Sequence, residues 1–192
     1  MKKALIISTA SALLGLSSAY AMKPSYYVGA GVGLANNDLS VGGEGHGEAS
    51  SNVLDIEAGL QLELKHDMAV SAGLFFGMND MRVGGDILSV RTPYNFGLVT
   101  RIGKMFESSQ AYVILGVGAF ESKVKDATDK DTSMNMFARV GVGYEHAVSH
   151  NTKVYAEYSY DIGFNEHKIE DRTFRVQSSA LKVGARYFFH GK

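Results

Sequence analysis

The sequence contains no cysteine and no tryptophan, and only 2 of its 192 residues are proline. Because cysteine is absent, no disulfide framework supports the fold, which has to rely on backbone hydrogen bonds and packing. Long apolar runs are also missing after the first 21 residues, which excludes a membrane protein built from helices. The 19 Lys and Arg residues are balanced by 20 Asp and Glu residues, so the composition does not indicate a nucleic acid as a partner.

The first residues have the pattern of a secretory signal peptide. Two lysines after Met1 are followed by the short apolar stretch "ALIISTASALLGL" and by "SSAYA", which ends in the small-x-small motif Ala19-Tyr20-Ala21. We therefore predict a signal peptide over residues 1–21 and a single domain over residues 22–192. A retained anchor helix is disfavoured, because the apolar stretch is short and is interrupted by Ser and Thr.

The remaining chain alternates between apolar and polar residues with a period of two. In the stretch "VLDIEAGLQLELKHD", residues 53–67, apolar residues take one parity while Asp, Glu, Gln and Lys take the other. This pattern is typical of a β-strand with two unlike faces. Eight such segments follow one another: 26–35, 53–67, 68–79, 87–104, 111–120, 134–146, 153–164 and 174–189. Most of them reach the roughly 9–11 residues with which a tilted strand crosses a bilayer.

The connections between these segments alternate in length. Short turns are predicted near 65–67, 106–109 and 150–151, whereas long polar connections such as "NNDLSVGGEGHGEASS" and "ESKVKDATDKDTS" separate the other segments. Short turns on one rim and long loops on the other are typical of outer-membrane barrels. The predicted fold class is therefore all-β. We expect an eight-stranded antiparallel transmembrane β-barrel, an up-and-down meander with four surface loops and both termini at the short-turn, periplasmic rim.

Glycine indicates which face of the strands lies inside. The alternation by itself fits equally well a soluble barrel with its apolar face in the core. However, 14 strand glycines share the polar face with the charged residues, and the lumen of eight strands is only just wide enough for side chains. Because glycines in a crowded lumen make room for long charged side chains, we predict that the charges face the lumen and the leucines face lipid. Outward aromatic residues near both rims fit the two girdles of a membrane barrel.

The predicted lumen face carries charges of both signs. Buried charges are tolerated when they are paired and hydrogen-bonded, so we expect Glu57 and Glu157 to meet Arg139, Arg101 or Lys182 across the lumen. An alternative is that the same charges line an ion pathway. The full predicted network consists of Asp55, Glu57, Glu63, Arg101, Arg139, Glu145, Glu157, Asp161, Lys182 and Arg186.

Three stretches resemble the OmpX- and opacity-type family of small Gram-negative outer-membrane β-barrels, which have OmpA-like transmembrane barrels. They are "YYVGAGVG" at the start of the mature chain, "VGVGYEHAVSHNTKVYAEYSYDIG" in the sixth and seventh segments, and "ALKVGARYFF" near the end. The last resembles the signal read by the barrel-assembly machinery, with Tyr187 and Phe189 in its aromatic positions, although His190-Gly191-Lys192 follow here. The resemblance implies an outer-membrane location and, for some members of the porin family, surface-antigen or adhesin roles.

Residues with catalytic chemistry are sparse. The stretch "HAVSH" brings His146, Ser149 and His150 together, but it lies on a predicted periplasmic turn and does not match the His-x-Ser arrangement expected of a lipid A deacylase-like barrel. No His or Cys spacing indicates a metal site. The glycine-rich "GGEGHG" lacks the strand–helix context and the lysine of a phosphate loop. We therefore predict no enzyme activity, no metal and no cofactor.

The surface loops are the predicted working parts. We expect them to contact host cells or other surface molecules, or to support envelope integrity, while the barrel itself contacts outer-membrane lipid. A narrow porin-like channel for small solutes or ions is the alternative, and a lipid-acting enzyme is a distant third. The charged loop residues that could make such contacts are Glu44, His46, Glu48, Lys123, Lys125, Asp126, Asp129, Lys130 and Asp131.

Overall fold

The structure is a computed structural model that describes residues 24–41, 44–84, 88–126, 130–164, 167–169 and 172–190. The predicted signal peptide lies outside these residues. The described strands are β1 (Ser25–Val41), β2 (Glu44–Glu63), β3 (Met68–Gly84), β4 (Leu88–Phe106), β5 (Ser109–Asp126), β6 (Lys130–Ala147), β7 (Thr152–Gly163), β8 (His167–Ile169) and β9 (Arg172–His190).

The strands close into a barrel. From β1 to β7 each strand pairs with the next in antiparallel fashion, β7 pairs with β9, and β9 pairs with β1 along the whole length of β1. The three-residue β8 is not one of the eight strands of the barrel wall. It pairs with the start of β9 in a short hairpin. The predicted eight-stranded antiparallel barrel is therefore confirmed. In the part of the chain that the structure describes, no helix is long and apolar enough to cross a membrane.

The wall separates an apolar outside from a charged inside. Leu34 and Leu74 on the outer face are each 64% exposed, whereas Arg186 in the lumen is 2% exposed. Since successive strand residues point to opposite faces, this distribution follows directly from the period of two in the sequence. The predicted arrangement, with charges toward the lumen and leucines outward, is the one observed, and it suits a barrel surrounded by lipid.

Three tight turns join strands at one end of the barrel, here named the turn end. His66 and Asp67 adopt left-handed backbone conformations with φ of 63° and 59°, a region in which His and Asp are enriched among residues other than glycine. Glu107 has φ of 48° in the two-residue turn between β4 and β5. Both barrel termini, Ser25 and His190, pair with each other at this same end.

At the opposite end, here named the hairpin end, strands replace most of the predicted loops. The first predicted loop, residues 36–51, is largely taken up by the pairing of β1 with β2, which continues to Val41 and Glu44. The third is taken up by β5 and β6, which stay paired to Lys125 and Lys130. The reason is physical: where both faces of a strand are wet, the alternation disappears from the sequence, but the backbone ladder still continues.

The hairpin end divides into two parts. Among the described residues, the ladder between β2 and β3 stops at the Val53–Asn79 pair, and the ladder between β6 and β7 stops at the Phe137–Gly163 pair. Beyond these pairs, β1, β2, β8 and β9 form a first lobe, and β3, β4, β5 and β6 form a second lobe. Pro93 lies in the second lobe, where the register between β4 and β5 shifts between Arg91 and Asn95, as expected of a residue without an N–H donor.

Lumen glycines make room for aromatic rings as well as for charges. A Cβ atom added at Gly143 would lie 2.4 Å from a ring atom of Tyr112, and one added at Gly118 would lie 2.6 Å from the ring of Phe137. A Cβ atom at Gly29 would instead meet the aliphatic carbons of Arg186 and Glu57 at 3.1 Å. Our expectation that the glycines serve charged side chains was therefore incomplete.

A first prediction concerns this packing. Gly143→Val should lower the free energy of unfolding by about 2 kcal/mol, because the added side chain overlaps a ring held in a packed lumen. The readout is the urea concentration at which half of the barrel, refolded into lipid vesicles, is unfolded. Unfolding is monitored by the heat-dependent mobility shift of the barrel on a gel. Ala156→Val, at an exposed position on the outer face, is the matched control. Equal midpoints for the two variants would contradict the packing argument.

Candidate functional site

The middle of the lumen is filled by two glutamates and two arginines, here named the central cluster: Glu57, Glu157, Arg101 and Arg186. Arg101 bonds Glu57 at 2.6 Å and Glu157 at 2.8 Å, and Arg186 bonds Glu157 at 2.5 Å and also bonds Glu57. Each arginine thus bridges both glutamates. The four residues are at most 8% exposed, so their charges are buried. Each charge lies against an opposite charge, which is the condition under which buried ions are tolerated.

Tyrosine hydroxyls complete the coordination of the central cluster. The Tyr112 hydroxyl donates to Glu157 at 2.9 Å and accepts from Arg186 at 3.0 Å, while the Tyr27 hydroxyl accepts from Arg101 at 3.2 Å. The guanidinium of Arg186 also lies over the ring of Tyr155, 4.0 Å from its centroid. Because the guanidinium is planar with five donors, it can bind two carboxylates and a hydroxyl while stacking on an aromatic face.

Toward the turn end the network continues through Glu145. Arg186 donates to Glu145 at 2.8 Å, and Lys153 bonds the other oxygen of Glu145 at 2.7 Å. The sequence prediction did not include Lys153, although it lies on the polar parity of β7 next to a predicted turn. Its ammonium group also lies over the ring of Phe188, 4.7 Å from the centroid. Lys153 therefore belongs to the ion-pair network and also contacts an aromatic face.

Toward the hairpin end two further ion pairs stand beside the central cluster. Lys182 bonds Asp55 at 2.5 Å and lies 3.9 Å from Glu157. Arg139 binds Asp161 with two parallel hydrogen bonds of 2.7 and 2.8 Å. The described ion pairs of the lumen join five acidic and five basic side chains, so this part of the lumen has no net charge.

Two details of the predicted network are corrected by the geometry. Arg139 was expected to meet Glu57 or Glu157, but its guanidinium is taken by Asp161, its direct cross-strand partner. Glu63 was expected in the lumen, but it is the last residue of β2 and its side chain is exposed. The nine remaining predicted residues, Asp55, Glu57, Arg101, Arg139, Glu145, Glu157, Asp161, Lys182 and Arg186, all take part in the ion pairs described above.

An apolar layer that the sequence reasoning missed lies on the hairpin-end side of the central cluster. Phe75, Phe120 and Phe137 pack together, with ring centroids 6.0 to 6.3 Å apart along the chain of contacts. The guanidinium of Arg139 lies over Phe75, 4.3 Å from the ring centroid. These phenylalanines occupy the polar parity of their strands, and that parity is the signal that could have identified them as lumen residues.

A small polar chamber lies between this layer and the hairpin end. Its volume is about 30 Å³, enough for one or two water molecules. Among the residues that the structure describes, Asn79 Oδ1, Thr92 Oγ1 and Asn95 Oδ1 line it without a hydrogen-bond partner. The chamber is therefore suited to water or to a small solute with hydrogen-bond donors.

The histidine and serine residues considered for catalysis do not converge. Ser149 accepts backbone N–H bonds from Asn151 and Thr152, so it shapes the turn after β6. His146 bonds Ser109 through Nδ1 at 2.9 Å on an exposed surface, and His150 bonds Asn151. In the described ranges, no group of three or more His, Asp or Glu side chains could hold a metal ion.

The predicted assembly-signal residues lie on the outer face near the turn end. Tyr187 and Phe189 are about half exposed, and their rings meet edge to face with centroids 5.0 Å apart. Both stand among the outward aromatic residues of that rim, which also include Tyr26, Phe106 and Tyr144. Their role in assembly stays a prediction.

Comparisons with known proteins agree with this architecture. Residues 8–191 match the family described as "Outer membrane protein beta-barrel domain". Neisserial surface protein A is similar in structure (TM-score 0.59, 18% identity, covering 85% of this chain and 97% of that one). So is Ail, the attachment invasion locus protein of Yersinia pestis (TM-score 0.55, 16% identity, 88% and 100% covered). A major outer membrane protein of Thermus thermophilus is also similar (TM-score 0.51, 15% identity, 86% and 99% covered). These similarities carry the fold alone, and no curated protein matches the sequence.

A second prediction tests the central cluster. Arg186→Met should lower the free energy of unfolding by about 3 kcal/mol, because it removes one of the cations that Glu57, Glu145 and Glu157 share and leaves the buried network with an excess negative charge. Urea titration of the barrel in lipid vesicles measures the effect. Lys104→Met removes an exposed cation from the outer face near the turn end and serves as the control. If both variants unfold at the same urea concentration, the cluster does not stabilise the barrel.

Proposed function

This chain belongs to the outer membrane protein β-barrel domain family, and on that premise we propose that it is a non-conducting surface barrel of the Gram-negative outer membrane. It acts through its hairpin end, which contacts host cells, other surface molecules or the envelope itself. Its termini and tight turns face the periplasm, and the two lobes of the hairpin end face outward. The barrel is a support for these lobes and performs no catalysis.

The observation that carries this proposal is the closed lumen. A path through the barrel would have to pass the central cluster, where every charge already has an oppositely charged partner within 2.8 Å or less. Opening that path would leave buried ions uncompensated, which costs several kcal/mol per ion. The phenylalanine layer above the cluster adds a second, apolar obstruction.

The strand lengths support a role for the hairpin end. The strands β1 to β6 each have 17 to 20 residues, whereas about 9–11 suffice to cross a bilayer. The excess residues build ordered lobes beyond the lipid, where a partner can be bound by a preformed surface. The structurally similar Ail is named for attachment and invasion and was solved with a heparin analogue. For the present chain, a surface partner is proposed from the lobes themselves.

A narrow channel is the second candidate function, and the polar chamber favours it. Three buried oxygens line the chamber without protein partners, and Asp161, the partner of Arg139, is part of the lining. A pore would continue from this chamber past Lys182 and the central cluster. That route requires the ion pairs to exchange partners as the solute passes.

A third prediction separates the two candidates. The purified, refolded barrel should give no conductance steps in a planar bilayer, because the central cluster and the phenylalanine layer close the lumen. Steady and reproducible steps that change with Arg139→Ala, but not with Lys104→Ala, would contradict the proposal and identify a small channel. A heat-dependent mobility shift confirms that each sample is folded before it is measured.

A fourth prediction concerns the lobes. Residues 39–47 and residues 123–132 can each be replaced by an Asn-Gly turn, because the flanking pairs Asp38–Glu48 and Ser122–Ser133 already face each other. Bacteria displaying the doubly trimmed barrel should adhere to cultured host cells no better than bacteria without the barrel. Single trimming shows which lobe is responsible. Unchanged adhesion, with the heat-dependent mobility shift intact, would contradict a role for these two hairpins.

A further inference from the structure

The polar chamber lies at the base of the split between the two lobes. Asn79 and Gly163, two of its lining residues, belong to the last cross-strand pairs of the β2–β3 and β6–β7 ladders. Asn37 and Ser178 line it from the first lobe, and Thr92 lines it from the second. A ligand in the chamber would therefore contact both lobes at the level where they separate.

The lining is rich in buried oxygen atoms. Four side chains that line the chamber are at most 9% exposed: Asn37, Asn79, Thr92 and Asn95. The side-chain oxygens of the last three have no hydrogen-bond partner among the described residues. The amide nitrogen of Asn37 donates to a backbone carbonyl and to a serine hydroxyl of β2, at 3.2 and 2.9 Å. Because an amide carries two N–H groups, only the carbonyl oxygen of Asn37 is left for the chamber.

A carboxylate oxygen joins this set beside Gly77. Asp55, Gly77 and Asn95 form one cross-strand row over β2, β3 and β4. A Cβ atom added at Gly77 would lie 2.2 Å from Asn95 Oδ1 and 2.5 Å from Asp55 Oδ1, so the two oxygens converge on one point. Lys182 bonds the other oxygen of Asp55, and Oδ1 has no partner in the described part of the chain. Two acceptors that face each other in this way need a cation or a donor between them.

The chemistry of these oxygens selects the ligand. Carboxylate, amide carbonyl and hydroxyl oxygens are the ligands of hard cations. The two carboxylates at the site, Asp55 and Asp161, already share their charges with Lys182 and Arg139, so little negative charge remains for a divalent ion. The chamber volume of about 30 Å³ admits an ion of about the size of a water molecule and excludes bulky organic cations.

We infer that the chamber binds a small monovalent cation: sodium, potassium or ammonium. The ion lies against Asn79, Thr92 and Asn95, next to Asp55 Oδ1, and joins the two lobes at their base. The inference goes beyond the proposed function, because a resident ion neither crosses the closed lumen nor belongs to a partner of the lobes. Water is the competing occupant, and it is favoured less because one of the converging oxygens belongs to a carboxylate.

The test measures the line width of the sodium NMR signal while the full refolded barrel in nonionic detergent micelles is titrated with sodium chloride. Asn95→Leu is the test variant. The matched control is Gln110→Leu, because Gln110 is also buried with an unpartnered oxygen but lies near the turn between β4 and β5. Because a bond from an oxygen to a charged partner is stronger than one between neutral groups, Asn95→Leu should bind sodium roughly tenfold more weakly. The control should bind as the unmodified barrel does.

Competition with other chloride salts identifies the ion. Potassium and ammonium should displace sodium, and the one that does so at the lower concentration is the stronger competitor, whereas tetraethylammonium should displace none. The absence of sodium broadening with the unmodified barrel would overturn the inference and leave water as the occupant. Equal broadening with Asn95→Leu would also overturn it, and so would displacement by calcium at a lower concentration than potassium.

A second variant covers the case in which Asn95→Leu does not fold. Thr92→Val removes one oxygen of the same site and keeps the shape of the side chain, so it should also weaken sodium binding. The heat-dependent mobility shift shows which samples are folded. None of these outcomes depends on conductance or adhesion, so the inference and the proposed function can fail separately.

Discussion

The structure depends on reciprocal neutralisation of buried charges in the middle of the lumen. Arg101 and Arg186 each bind both Glu57 and Glu157, so no charge of the central cluster relies on a single partner. The four residues come from four different strands, β2, β4, β7 and β9. The same contacts that stabilise the ions therefore also tie opposite sides of the wall together. A barrel wall alone would fix only neighbouring strands.

This cluster requires a particular division of lumen volume. Two guanidinium groups and the rings that surround them occupy the middle of the lumen, and this is possible because positions such as Gly29 and Gly143 carry no side chain. The rings are needed in turn, since the Tyr112 hydroxyl satisfies Glu157 and Arg186 at once. Glycine, aromatic and ionic residues thus form one packing unit, and a change in any one of them affects the others.

The period of two and the placement of glycine were enough to predict the barrel, its strand number and the side that faces the lumen. The residues of the central cluster were also predictable, because a charged residue on the lumen parity must find its partner inside the lumen. Their pairing was not predictable, because it depends on strand register. The register places Asp161 directly opposite Arg139, and the two form an ion pair. The exposed Glu63 was misplaced because parity does not show where a strand leaves the lumen. The lumen phenylalanines were missed because apolar residues were assigned to the lipid side.

The division of the hairpin end into two lobes separates the parts of the strands that can change in length from the wall that holds the lumen network. Among the described residues, the β2–β3 ladder ends at the Val53–Asn79 pair, and the contact between β6 and β7 ends with the bond that Phe164 N–H donates to the Met136 carbonyl. Lengthening or shortening a hairpin by matched residues in one lobe leaves the register of the other lobe and of the wall unchanged. Mutations that remodel the exposed tips can therefore accumulate while the ion-paired lumen is inherited intact.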